Sequence, residues 1–148
     1  MKQRWEFFKE SDSSFGVFYP KNYVVAAFDT LERAQEIEAR FRADGFDADE
    51  VTAAPGSFVV NEVESQKDAS WLDRARAGIA AAIGTETGYI DDDLKLARRG
   101  GAFLFVHVTD DPTMARVRAL LTRAHPIYAR RYLTGAIERL VYPKQAAL

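Results

Sequence analysis

Gly100 and Gly101 stand directly before Ala102-Phe103-Leu104-Phe105-Val106-His107-Val108, and Asp110-Asp111-Pro112 follows at once. A run this apolar does not alternate between a wet and a dry side. It is therefore the clearest strand in the chain, and both of its sides must find cover. Tyr23-Val24-Val25-Ala26-Ala27-Phe28, after Pro20, has the same character: short, apolar and rich in residues that suit an interior strand. Two such strands demand a folded core, and the segments between them must supply the helices that cover it.

The helices are marked by caps and by periodicity. Asp29 precedes Glu32 by three, the spacing of a capping box, and Leu31, Ala34, Ile37 and Phe41 recur near helical spacing, with Glu38 the polar exception. Gly45 can take the positive backbone angle that ends this helix. Phe46 to Val51, followed by Ser57 to Val63, is expected to be a second strand region bent near Ala54-Pro55-Gly56, either as one bulged strand or as a hairpin. Ser70 and Asp73 repeat the capping logic for a helix ending at Gly84, with Trp71, Ala75, Ile79, Ala82 and Ile83 at helical intervals. Asp91-Asp92-Asp93 opens a shorter amphipathic segment carrying Leu94 and Ala97. The triplet lacks the further oxygen ligands of a Mg²⁺ or Ca²⁺ loop, so helix initiation is the better account of it. Asp110 and Pro112 start another helix, lined by Met114, Val117, Leu121 and Ala124. After Pro126, Ile127 to Leu133 is expected to be a last strand, and Gly135 to Val141 a terminal turn of helix.

Composition sets the outer bounds. The 148 residues are enough for one domain with a substantial core, and 47% apolar content argues against global disorder. The 20 basic and 22 acidic side chains are mixed along the chain, so no long-range field gathers phosphate backbones or anionic lipid, and nucleic acid is not an expected partner. There is no cysteine, which removes disulfides and thiolate ligands and fits a reducing, cytoplasmic setting. No stretch approaches the length needed to span a bilayer, so no membrane association is expected, and Glu6 and Glu10 interrupt any secretory reading of the first residues. Residues 1–22 read as an N-terminal extension, 23–142 as a single domain and 143–148 as a C-terminal tail.

The order strand, helix, strand, inserted helices, strand, helix, strand defines an α+β chain. It is that of a ferredoxin-like sandwich: β-α-β halves with inserted helices between them. Two stretches also carry a family resemblance. Phe28-Asp29-Thr30-Leu31-Glu32-Arg33-Ala34-Gln35, running on through Ala43 to Val51, and Arg99-Gly100-Gly101-Ala102-Phe103-Leu104-Phe105-Val106 resemble the bacterial heat-induced general-stress-protein family over about half the chain. That resemblance implies a ferredoxin-like fold and a role in stress response, and it brings no catalytic residues to place here.

Strand parity then selects a face. Ala102, Leu104, Val106 and Val108 share one side of their strand, and Phe103, Phe105 and His107 the other. In the last strand Tyr128, Arg130 and Tyr132 separate from Ile127, Ala129, Arg131 and Leu133. Phe103, Phe105, His107, Tyr128, Arg130 and Tyr132 are expected on the sheet face away from the two longest helices. An aromatic face of that size needs cover, by a second subunit in a homodimer, by the N-terminal arm and inserted helices, or by a ligand. Non-catalytic action through self-association or partner binding is the leading expectation. The alternative is a small-molecule site or enzyme pocket in which His107 titrates, Arg130 holds an anion and a tyrosine donates a hydrogen bond. A third surface is the arm with Trp5, Phe7 and Phe8, whose aromatic side chains suit contact with another protein. No cofactor or metal is expected: His107 and His125 have no zinc spacing, and Gly84 and Gly88 lack the lysine of a phosphate loop. His125, before Pro126, is expected to place its imidazole against the last carbonyls of a helix.

Overall fold

In the computed structural model, residues 20–65, 91–133 and 136–143 are described. The expected helix ending at Gly84, the aromatic arm with Trp5, Phe7 and Phe8, and nearly all of the C-terminal tail lie outside them. Strand β1 (Tyr23–Phe28) has all six residues buried, and β3 (Ala102–His107) has five buried with His107 at its rim. They pair antiparallel, Val25 opposite Phe105 and Ala26 opposite Leu104. β2 (Val51–Pro55) lies outside β3, and β4 (Tyr128–Leu133) lies outside β1 with β5 (Ala136–Val141) beyond it. The sheet order is β2-β3-β1-β4-β5 and every pair is antiparallel. This is an α+β chain. Its first four strands in that order are compatible with the ferredoxin-like expectation, and β5 extends the sheet at one edge.

Alternation along β1 and β3 divides the core in two. Val24, Ala26, Phe28, Leu104 and Val106 face α1 (Leu31–Ala43) and the helix between β3 and β4 (Asp111–Ala124), whose buried stripes are Ala34, Ile37 and Phe41 and Met114, Val117, Leu121 and Ala124. Tyr23, Val25, Ala27, Phe103, Phe105, Tyr128 and Tyr132 face the other way, onto Val59 of α2 (Gly56–Ser65) and Leu94 and Leu96 of α3 (residues 91–98). In chain order the Asp111–Ala124 helix is α4. Each fully buried large side chain contributes about 2 kcal/mol, so a sheet covered on both sides gains nearly twice what a one-sided sheet would.

Local chemistry explains the boundaries and corrects several of them. The N-cap of α1 is Thr30, whose Oγ1 accepts the Arg33 N–H at 3.1 Å, one residue later than the Asp29 box predicts. At its other end Gly45 takes φ 102°, and the Phe46 N–H returns to the Phe41 carbonyl at 3.1 Å, which brings the two rings to 5.2 Å. Asp110 caps α4 by accepting the Thr113 N–H at 2.7 Å. At the end of α4, His125 sits in the left-handed region at φ 51°. It closes the helix with its backbone N–H on Leu121, where the sequence suggested the imidazole.

Residues 57–63 are helix rather than strand. β2 stops at Pro55, and the Gly56 N–H donates to the Gly101 carbonyl at 3.0 Å, turning the chain back over the sheet. Val59 is then buried and the Phe58 ring meets Phe105 at 6.0 Å, so burial overrides the β preference of the valines. The expected helical turn near the last residues is likewise a strand where it is described: Ala136–Val141 pairs with β4, with a bulge at Ala129/Arg130. Glu38, the polar residue in an otherwise apolar stripe, accepts the Ala53 N–H on the outer edge of β2.

A methyl group at Gly56 would lie 2.6 Å from both the Ala97 Cα and the Gly101 carbonyl oxygen. Gly56→Ala is therefore expected to cost about 1–3 kcal/mol in urea unfolding, with an unchanged slope. Asp110 is exposed, and its bonds to Thr113 hold its carboxyl below the ordinary range. The stability it adds is present above the unfolded carboxylate pKa and lost as pH falls through the lower folded value. The unfolding temperature of Asp110→Ala is thus expected to lie below that of wild type at neutral pH and to converge with it in acid.

Candidate functional site

The second face of the sheet carries the residues that parity selects. Tyr23 lies opposite His107 and Val25 opposite Phe105 across one side of β1, while Val25 lies opposite Arg130 and Ala27 opposite Tyr128 across the other. Phe103, Phe105, Tyr128, Arg130 and Tyr132 are all buried within the single chain, beneath the layer to which α2 and α3 contribute. Helices α1 and α4 lie on the reverse side, as the alternation requires.

Into this apolar layer α3 lowers a carboxylate. Asp93 is 5% exposed and Arg130 3%. Arg130 Nη1 lies 3.1 Å and 3.2 Å from the two Asp93 oxygens and donates to the Tyr132 hydroxyl at 3.1 Å. The Tyr128 hydroxyl donates to Asp93, and the guanidinium stands 4.4 Å over the Tyr128 ring. Burial raises the Asp93 carboxyl above its ordinary range, against the pull of Arg130 and the Tyr128 hydrogen bond. Burial works to lower Arg130, but the charge of Asp93 and the two tyrosines outweigh it and keep the group cationic. Tyr128 is pushed far up, first by burial and then by the Asp93 charge, so it stays a protonated donor.

His107 lies at the rim and has a different partner. Its Nδ1 is 2.7 Å from Glu50 Oε2, its backbone N–H donates to the Glu50 carbonyl at 2.8 Å, and its ring stacks obliquely on Tyr23 at 4.9 Å. The side chains of His107 and Glu50 are 11% and 29% exposed. The six face residues thus divide. Tyr128, Arg130 and Tyr132 form one network, Phe103 and Phe105 are packing, and His107 joins the loop before β2.

Sequence reasoning missed Asp93 and Glu50. Asp93 sits in a triplet that reads as helix initiation, yet it directly precedes Leu94 and shares its helix face with the buried side of α3. An arginine on the apolar parity of β4 was the matching signal, since a buried guanidinium requires a carboxylate. Glu50, in Asp47-Ala48-Asp49-Glu50, has no local mark that separates it from its acidic neighbours. Among the described residues no group of three or more His, Asp or Glu side chains could hold a metal ion. Comparison with protein-family models, with curated proteins and with solved structures finds no match.

Removing one member of this pair leaves the other buried without its counter-charge. Asp93→Leu and Arg130→Met are each expected to lose about 3–5 kcal/mol, and the two together should lose less than the sum. Urea unfolding of the single and double variants measures the coupling, and strictly additive losses would mean that the pair is not coupled.

Proposed function

We propose that this chain is a non-catalytic, stress-related or regulatory protein that acts by associating with protein partners on a ferredoxin-like body. The observation that carries the reading is the use made of the face's polar groups. Arg130, Tyr128 and Tyr132 converge on Asp93 inside the chain, where they fix α3 against the sheet. Chemistry bound up in this way serves architecture, and it leaves a rigid body whose outer surfaces do the work. The likeness of residues 28–51 and 99–106 to the general-stress-protein family supports the same role, and the cytoplasm suits a chain without cysteine. Among the described residues no helix is long and apolar enough to cross a membrane.

A second reading rests on His107 and Glu50. A carboxylate at 2.7 Å from Nδ1 orients the imidazole, and both side chains retain some exposure at the rim of the sheet, within reach of a small molecule. One experiment separates the two. Thermal unfolding of wild type and His107→Ala, each against a chemically broad set of metabolites, is expected to show no shift that depends on His107. A saturable shift present in wild type and lost in the variant would overturn the association reading in favour of the pocket. Light scattering at rising concentration is expected to show a dimer, and a strict monomer would restrict the partner to a different protein.

A further inference from the structure

The last two strands bring charge onto the face of the sheet that α1 and α4 cover. Arg131 has the parity of Ala129, which is buried in that layer. Glu138 of β5 is its direct cross-strand partner, and residues opposite one another on neighbouring strands share a face, so an arginine and a glutamate in this register ordinarily pair. They do not pair here. The Glu138 carboxylate is taken by α4 instead, where Arg118 Nη2 donates to its Oε1 at 2.5 Å. Arg130, the neighbour of Arg131, points into the opposite layer and is held there by Asp93.

Arg131 is left with an unmet requirement. Its side chain is half-buried, and its Nε–H is withdrawn from solvent with no hydrogen-bond partner. Among the described residues no carboxylate pairs with its guanidinium. A donor of a charged group that has given up hydration and gained no acceptor is a net loss to the fold, and an oxyanion is the ligand that would reverse it. Two guanidinium groups thus flank one carboxylate that bonds to only one of them. The place is open, since the side chains of Arg118 and Glu138 are 48% and 41% exposed. A doubly charged tetrahedral oxyanion balances both arginines without Glu138, and its oxygens accept from both planar forks. The glutamate, tethered to β5 and singly charged, serves one. A halide matches neither the charge nor the fork.

We propose that Arg118 and Arg131 form an oxyanion site between α4 and the β4–β5 hairpin, at which a phosphate group displaces the Glu138 carboxylate and is held by both guanidinium groups. The site is independent of the association reading and adds a small-molecule ligand to it.

The test is isothermal titration calorimetry of the full chain with sodium phosphate at about pH 8, above the second phosphate pKa, with ionic strength fixed by sodium chloride. Saturable binding is expected. Arg118→Gln and Arg131→Met should each weaken it roughly ten-fold or more, and Glu138→Gln, which removes the competing carboxylate, should tighten it about three-fold. Arg118 is exposed, and methionine at 131 keeps much of the arginine stem while deleting the unsatisfied donor, so both variants should unfold at no lower a temperature than wild type, which is checked on the same samples. Methyl phosphate, titrated in parallel, separates the sources of the group. Binding equal to that of the free ion assigns the site to phosphate esters, and binding lost on esterification assigns it to the inorganic ion. No heat beyond the chloride control, equal binding by Arg131→Met, or no tightening by Glu138→Gln would each overturn the proposal. His107→Ala should bind phosphate as wild type does, so failure at Arg131 leaves the association reading standing, and that reading falls only to a small-molecule shift that depends on His107.

Discussion

A central strand pair with apolar residues on both faces dictates the rest of this structure. β1 and β3 carry so little polarity that neither side of the sheet can face water, and an antiparallel sheet of this kind must be covered twice. One cover comes from α1 and α4, connecting β1 to β2 and β3 to β4. The other includes the segment inserted between β2 and β3, which explains why α2 and α3 fold back over the aromatic side. The insertion is thus part of the core. The close approach of Gly56 to Ala97 and Gly101 is the local device that lets it turn at the end of β2.

Within that second cover the Asp93–Arg130 pair introduces direction. Apolar contacts between α3 and the sheet would tolerate a slide by a turn of helix, since leucine on phenylalanine has little angular preference. A guanidinium bonded to both carboxylate oxygens, with a tyrosine hydroxyl on the same carboxylate, tolerates only one placement. Removing two charges from water costs several kcal/mol per ion before their attraction is counted, so the pair's value lies in selecting that placement more than in net stability.

Much of the scaffold was legible from single residues, and the failures have physical causes. The strand at Ala102–His107, the helix after Asp110 and the parity of Phe103, Phe105, Tyr128 and Arg130 all follow from local pattern, because each pattern agrees with the burial it receives. Residues 57–63 misled because Phe58, Val59 and Val60 favour a strand in isolation. Only their position over Phe105 makes a helix the better answer. Residues 136–141 misled because a short segment at a chain end has weak periodicity, and its partner β4 decides its form. The polar site was half legible. Arg130 on an apolar parity signalled a buried ion, whereas its counter-ion lies 37 residues earlier in sequence and is delivered by tertiary packing.

Glu38 shows how one misfit residue in a helical stripe can serve the whole sheet. Its carboxylate occupies the outward N–H of Ala53, and two residues on Pro55 has no N–H to offer. The β2 margin is thereby poor at templating a foreign strand, the first step toward runaway cross-β stacking. A chain with so apolar a sheet would otherwise carry that hazard at this border whenever it became concentrated. The carboxylate that spoils the amphipathic pattern of α1 is, in colloidal terms, a guard.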